Sequence, residues 1–138
     1  MRLIGIDYGE KNVGLAVSDD QGLMAFPHSV MRNTSRLADE VEKLAKDKDA
    51  SLVVIGESRD YKGNANSVLE KTLIFAEELR ARGLTVELES ETLSSHQAAH
   101  FQGKTDMIDA AAASIILQSY IDRKKPQVEG EEPFYNQE

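Results

Sequence analysis

Three acidic residues, far apart in the chain, have the types and settings that metal-assisted chemistry needs. Asp7 interrupts an otherwise apolar run in Gly5-Ile6-Asp7-Tyr8-Gly9. A carboxylate there is costly to desolvate unless a cation meets it. Lys11, four residues on and past a glycine, offers one such cation, and a turn-forming Asp paired with Lys11 is one reading. Glu91 and Asp109 open another. Glu91 directly follows an extended segment, and Asp109 precedes the four alanines Ala110 to Ala113. Small side chains allow that helix to approach a sheet closely, which would carry Asp109 toward Asp7. Three carboxylates gathered in this way would form an oxygen-rich cage suited to Mg²⁺ or Mn²⁺. His96 and His100 have i, i+4 spacing, but no glutamate follows the first, so packing or surface roles are favoured over zinc.

The elements that must position these acids are legible from periodicity. Arg2 to Tyr8, Asn12 to Ser18 and Leu23 to Val30 read as three consecutive strands. Val13, Leu15 and Val17 share one face of the second, and Pro27 marks the third as an edge. Short connections make them an antiparallel meander. A helix capped at Thr34 or Ser35 follows, with Leu37, Val41, Leu44 and Ala45 inward. Leu52 to Ile55 reads as a central strand, wholly apolar because both faces are covered. A polar loop over 57–64 leads to a helix from Asn66 or Ser67 to Gly83, and Thr85 to Leu88 reads as the fifth strand. Ser94 or Ser95 opens a short helix, and Asp106 to Tyr120 a last one with Ile108, Ala112, Ile115 and Tyr120 inward. The expected fold is α/β: a mixed five-stranded sheet, three antiparallel strands and then two parallel ones, flanked by helices.

Length and charge narrow the classes further. The chain has 138 residues, 41% hydrophobic and 29% charged, with no cysteine. That excludes disulfides, thiolate nucleophiles and cysteine zinc sites. No apolar run is long enough for a membrane span and no signal peptide opens the chain, so a cytoplasmic protein without membrane partners is expected. The net charge is −8, and residues 126–138 contribute half of it through Glu129, Glu131, Glu132 and Glu138. These residues read as an acidic, disordered tail behind a folded domain of residues 1–125. A mildly acidic domain that handles a polyanion needs a local basic patch or metal ions.

The segment Gly5-Ile6-Asp7-Tyr8-Gly9-Glu10-Lys11-Asn12-Val13-Gly14-Leu15-Ala16-Val17-Ser18-Asp19 resembles the opening motif of the YqgF family, also called RuvX. Val53-Val54-Ile55-Gly56, Lys62-Gly63, Phe75-Ala76, Glu91 with Leu93 and Ser94, and Asp109 with Ala112-Ala113 match in register. The resemblance covers about residues 1–122. It implies an RNase H-like nuclease acting in pre-16S rRNA 5′-end processing, hence ribosome biogenesis, or in Holliday junction resolution. Asp7, Glu91 and Asp109 would then be catalytic metal ligands in a two-metal site, with Asp7 bridging both ions. Lys11, Arg59, Lys62 and Ser94 would contact the nucleic acid, either pre-rRNA or branched DNA, and a homodimer would suit a symmetric junction.

The departures have consequences too. The family's Asp-Glu-Arg-Leu-Ser-Thr reads Ser90-Glu91-Thr92-Leu93-Ser94-Ser95 here, and its Lys-Arg pair reads Lys11-Asn12. Loss of two arginines removes bidentate donors to phosphate, so metal binding is expected to persist with weaker backbone binding. The alternative is a catalytically weak nucleic-acid-binding protein in ribosome assembly. Tyr8 reads as a strand residue, and Tyr61 as the better of the two for stacking on a base. The Asp-x-Gly opening also resembles the phosphate-binding start of actin-like ATPases and sugar kinases, but those need two such domains to enclose a nucleotide.

Overall fold

The computed structural model describes residues 1–57, 67–90 and 108–124. Five strands form one sheet: β1 (Arg2–Asp7), β2 (Asn12–Ser18), β3 (Ala25–Arg32), β4 (Ala50–Glu57) and β5 (Val86–Ser90). Their spatial order is β3-β2-β1-β4-β5. β1 to β3 pair antiparallel, whereas β4 runs parallel to β1 and β5 parallel to β4. The three parallel strands therefore end on one edge of the sheet, at Asp7, Glu57 and Ser90.

Three described helices cover the two faces. On one face α1 (Leu37–Lys48) and α2 (Ser67–Ala81) lay Leu37, Val41, Leu44, Phe75, Ala76 and Leu79 over Ile4, Ile6, Val13, Leu15, Val53 and Ile55. On the other face α3 (Ile108–Lys124) lays Ala113, Ile116, Leu117, Tyr120 and Ile121 over Ala16 and Val54. The strict alternation along β2 follows from this sandwiching: Val13, Leu15 and Val17 face α1 and α2, while Ala16 faces α3. None of these helices is long and apolar enough to cross a membrane.

Several boundaries differ from the sequence reading, each for a local reason. β3 starts at Ala25 rather than Leu23 because Asp19 closes a loop first. Its carboxylate accepts the N–H groups of Leu23 (2.8 Å) and Met24 (3.1 Å), so those residues cannot join the ladder. At its far end β3 continues to Arg32, and Asn33 still donates to the Lys11 carbonyl at 2.9 Å. Neither Thr34 nor Ser35 caps α1. Thr34 instead forms a turn ahead of the helix: its hydroxyl accepts from the Arg36 N–H (3.1 Å) and its carbonyl from Leu37 (3.0 Å). β4 extends two residues beyond its apolar stretch at each end, and β5 runs from Val86 to Ser90 rather than from Thr85 to Leu88.

α3 also differs in its inward face. Ile116 and Leu117 are fully buried, whereas Ile115 and Ile108 are only half-buried. Ala112 and Tyr120 are buried as expected, while the sheet contact runs through Ala113, Ile116, Leu117 and Tyr120 in place of Ile108 and Ile115. The short helix expected at Ser94 or Ser95 and the tail of residues 126–138 lie outside the described residues.

Candidate active site

Asp7 ends β1, the central strand, and the pleat decides which way it faces. A Cβ at Gly5 would come within 2.7 Å of Leu117 Cβ, so Gly5 looks onto α3. Asp7, two residues further, looks the same way by the period of the strand. The pairing gives the same answer independently. Asp7 stands opposite Gly14 on β2, and a Cβ at Gly14 would land on the backbone carbonyl of Asp109. Directly paired residues share a face of the sheet. The first turn of α3 therefore rests on β2 beside Asp7, and the backbone of Asp109 lies at the same end of the α3 face as Asp7.

Gly14 makes that approach possible. Any side chain there would force the start of α3 off the sheet, and with it Asp109. The sequence reading quotes Gly14 only within the family motif, although a glycine inside an alternating strand is itself the signal of close backbone approach. Asp109 is half-buried, and this burial pushes its carboxyl above the ordinary carboxylate range.

A partly buried ion pair lies along the same face. Glu89 on β5 is buried, with 7% of its surface exposed. It accepts hydrogen bonds from Ser119 (3.0 Å) and from Arg123 Nε (3.1 Å) and Nη2 (2.5 Å). Charge-assisted bonds of this kind tie the end of β5 to the last turn of α3. Arg123, in the basic last turn of α3, is thus a strut. Arg123 and Lys124 also lie over the Tyr120 ring, 5.6 and 5.8 Å from its centroid.

The other residues expected at the site divide in two. Lys11 is exposed in the turn between β1 and β2. Its neighbour Glu10 pairs with Lys71 of α2 at 2.9 Å, an ion pair not anticipated from the sequence. Glu91, Arg59, Lys62, Ser94, His96 and His100 lie outside the described residues. Among the described residues no three His, Cys, Asp or Glu side chains form a group able to hold a metal ion.

Comparisons with known proteins bear on the family and the fold. The family model described as RuvX, Holliday junction resolvase, matches residues 1–123. A protein of Caldanaerobacter subterraneus subsp. tengcongensis, named provisionally as a pre-16S rRNA nuclease, is 34% identical over 137 residues, spanning 91% of this chain and 99% of that one. A protein of Myxococcus xanthus with the same name is 34% identical and covers 91% of each chain. Among solved structures, the fowlpox virus resolvase in complex with Holliday junction DNA superposes with a TM-score of 0.58 at 14% identity, over 91% of this chain and all of that one. RuvC of Thermus thermophilus gives 0.53 at 17%, over 89% and 96%. The likeness to these two structures is one of fold, an RNase H-like fold. With a family match over residues 1–123 and relatives 34% identical over nearly their whole length, the chain belongs to the RuvX family of Holliday junction resolvases.

Proposed function

We propose that this chain is a divalent-metal-dependent nuclease whose centre is formed by Asp7, Asp109 and Glu91, and that it hydrolyses phosphodiester bonds in structured nucleic acid. The observation that carries this reading is the contact of Gly14 with the Asp109 backbone, directly opposite Asp7. In this reading the Asp7 and Asp109 carboxylates share the site, and burial disfavours the charged form of Asp109. A hard cation would offset that cost, and a donor set made only of oxygens fits Mg²⁺ or Mn²⁺. Glu91 directly follows Ser90, the last residue of β5, on the sheet edge where β1 also ends. Bound between these acids, a pair of such ions would lower the pKa of an attacking water and stabilise the leaving oxygen.

The chain's own groups have simpler tasks. Asp7, paired with Gly14 at the end of the central strand β1, would hold metal together with the other two acids. Lys11, exposed one turn away, would neutralise a phosphate of the bound strand, with Arg59, Lys62 and Ser94 adding contacts. The names of the relatives favour pre-16S rRNA, and the family description favours four-way junctions. A symmetric junction would be cut by a homodimer presenting two centres. Either substrate suits a cytoplasmic protein. Residues 1–125 form the catalytic unit in this reading, and residues 126–138 an acidic extension.

The test is cleavage of a pre-16S rRNA fragment and of a four-way DNA junction with Mn²⁺ and Mg²⁺. Asp7→Asn should lose more than about a hundredfold in rate while remaining folded. Equal cleavage by Asp7→Asn would reject the assignment. A second reading rests on Ser90 and Thr92, which replace an acid and an arginine of the family motif. It makes the chain a nucleic-acid-binding protein with little turnover, and binding without cleavage across both substrates and both metals would favour it.

A further inference from the structure

On the opposite face of the sheet from Asp7, one residue further along the chain, a cleft of about 370 Å³ opens between the start of α1 and the side of α2. Its walls include Tyr8, Asn33, Thr34, Lys71, Ile74 and Glu78. One wall is aromatic and aliphatic. The Tyr8 ring lies 5.2 Å from that of Phe75 at a tilt of 37°, and Ile74 beside it is 68% exposed, an unusual position for a large aliphatic side chain on a packed helix. The other wall is polar: α1 begins there without a side-chain cap, and Asn33 donates from its amide to the Gly9 carbonyl at 2.8 Å.

We propose that this cleft is a subsite for an unpaired nucleobase next to the scissile phosphate. The inference rests on the nuclease reading of Asp7. β1 ends at Asp7, which faces α3, whereas Tyr8 packs against the core under α1 and α2. A strand crossing the sheet edge with its phosphate at Asp7 would therefore meet the cleft with a neighbouring nucleotide. The volume is in the range of small-ligand pockets, and aromatic side chains hold unpaired bases by stacking. The charges select a base rather than a bare phosphate. Lys71, the cation of the cleft, is engaged by Glu10 at 2.9 Å, and Glu78 adds a further carboxylate. An anion would be repelled there, whereas the exocyclic amino group of a base could donate to Glu78.

The experiment uses two probes in EDTA: a blunt duplex, and the same duplex with a single-stranded flank carrying 2-aminopurine beside the junction. Binding should quench the flank's fluorescence, and Tyr8→Phe should preserve that quench while Tyr8→Leu loses it. Ile74→Glu, at a position where folding does not depend on the side chain, should weaken the flanked duplex about tenfold and leave the blunt duplex unchanged. Equal affinity of Ile74→Glu and wild type for the flanked duplex would overturn the subsite. So would an equal loss on both probes, which would mean that the cleft binds backbone. Asp7→Asn should keep the quench and lose cleavage. Cleavage by that variant would reject the metal centre, and the dependence on the flank would still judge the cleft.

Discussion

Asp109 carries a cost that a bound cation would relieve. Burial holds its carboxyl above the ordinary value near 3.8, so in the folded state the charged form is disfavoured. The sign of the linkage follows. With a raised folded-state pKa, the penalty is absent below the unfolded value and grows as pH rises through it toward the folded value. In EDTA, Asp109→Asn should therefore melt at a higher temperature than wild type at pH 7, and the advantage should vanish toward pH 4. The same substitution should lower Mn²⁺ affinity and cleavage. Thermal melts at several pH values, paired with a titration of the metal, check both halves. An unchanged melting temperature at pH 7 would show that the carboxylate is better solvated than its position indicates.

At the scale of elements, the sheet and α3 are joined at two ends by different means. At the front, Gly14 lets the first turn of α3 rest on β2. Gly14→Ala should cost about 1–3 kcal/mol through overpacking and should reduce activity by more than its effect on stability, because it displaces Asp109 from Asp7. Urea unfolding and cleavage rates on the same variant separate the two effects. At the back, Arg123 and Ser119 hold Glu89, and removing the guanidinium leaves a buried carboxylate with only a hydroxyl. Arg123→Ala should cost roughly 1–3 kcal/mol, and Glu89→Gln in the same background should recover part of it. A double-mutant cycle measures the coupling. Gln118 adds a third tie, its carbonyl oxygen accepting from the Ala25 N–H at 2.8 Å and its amide donating to Leu23 at 3.1 Å.

For the whole molecule, charge matters more than any single contact. Half of the net charge of −8 lies in residues 126–138, which hold four glutamates and no lysine or arginine. A chain ended at Lys125 should unfold at the same temperature and bind a junction or RNA more tightly at low salt, with the difference shrinking as salt screens it. Fluorescence anisotropy across a salt series would measure this, and a fall in melting temperature would mean that the tail packs on the domain. The order of the strands was legible because each has its own local signature: alternation in β2, a continuous apolar run in β4, Pro27 on the outer strand β3. Where Leu23 was read as strand and Ile115 as core, a competing local bond from Asp19 and a small rotation of α3 prevailed. Neither leaves a mark in periodicity.

The amino-acid sequence by itself determined the α/β order, the faces of β2 and α1, and the family motif around Asp7. Those features depend on residue type and on repeats of two or 3.6, which are local. Only the tertiary structure decided that the first turn of α3, which carries Asp109, rests on β2 opposite Asp7, because that contact depends on one glycine opposite one aspartate and on how a helix more than ninety positions later settles on it. It also decided that Tyr8 turns away from Asp7 into a cleft, since the direction of a side chain at the end of a strand follows from what is packed beneath it.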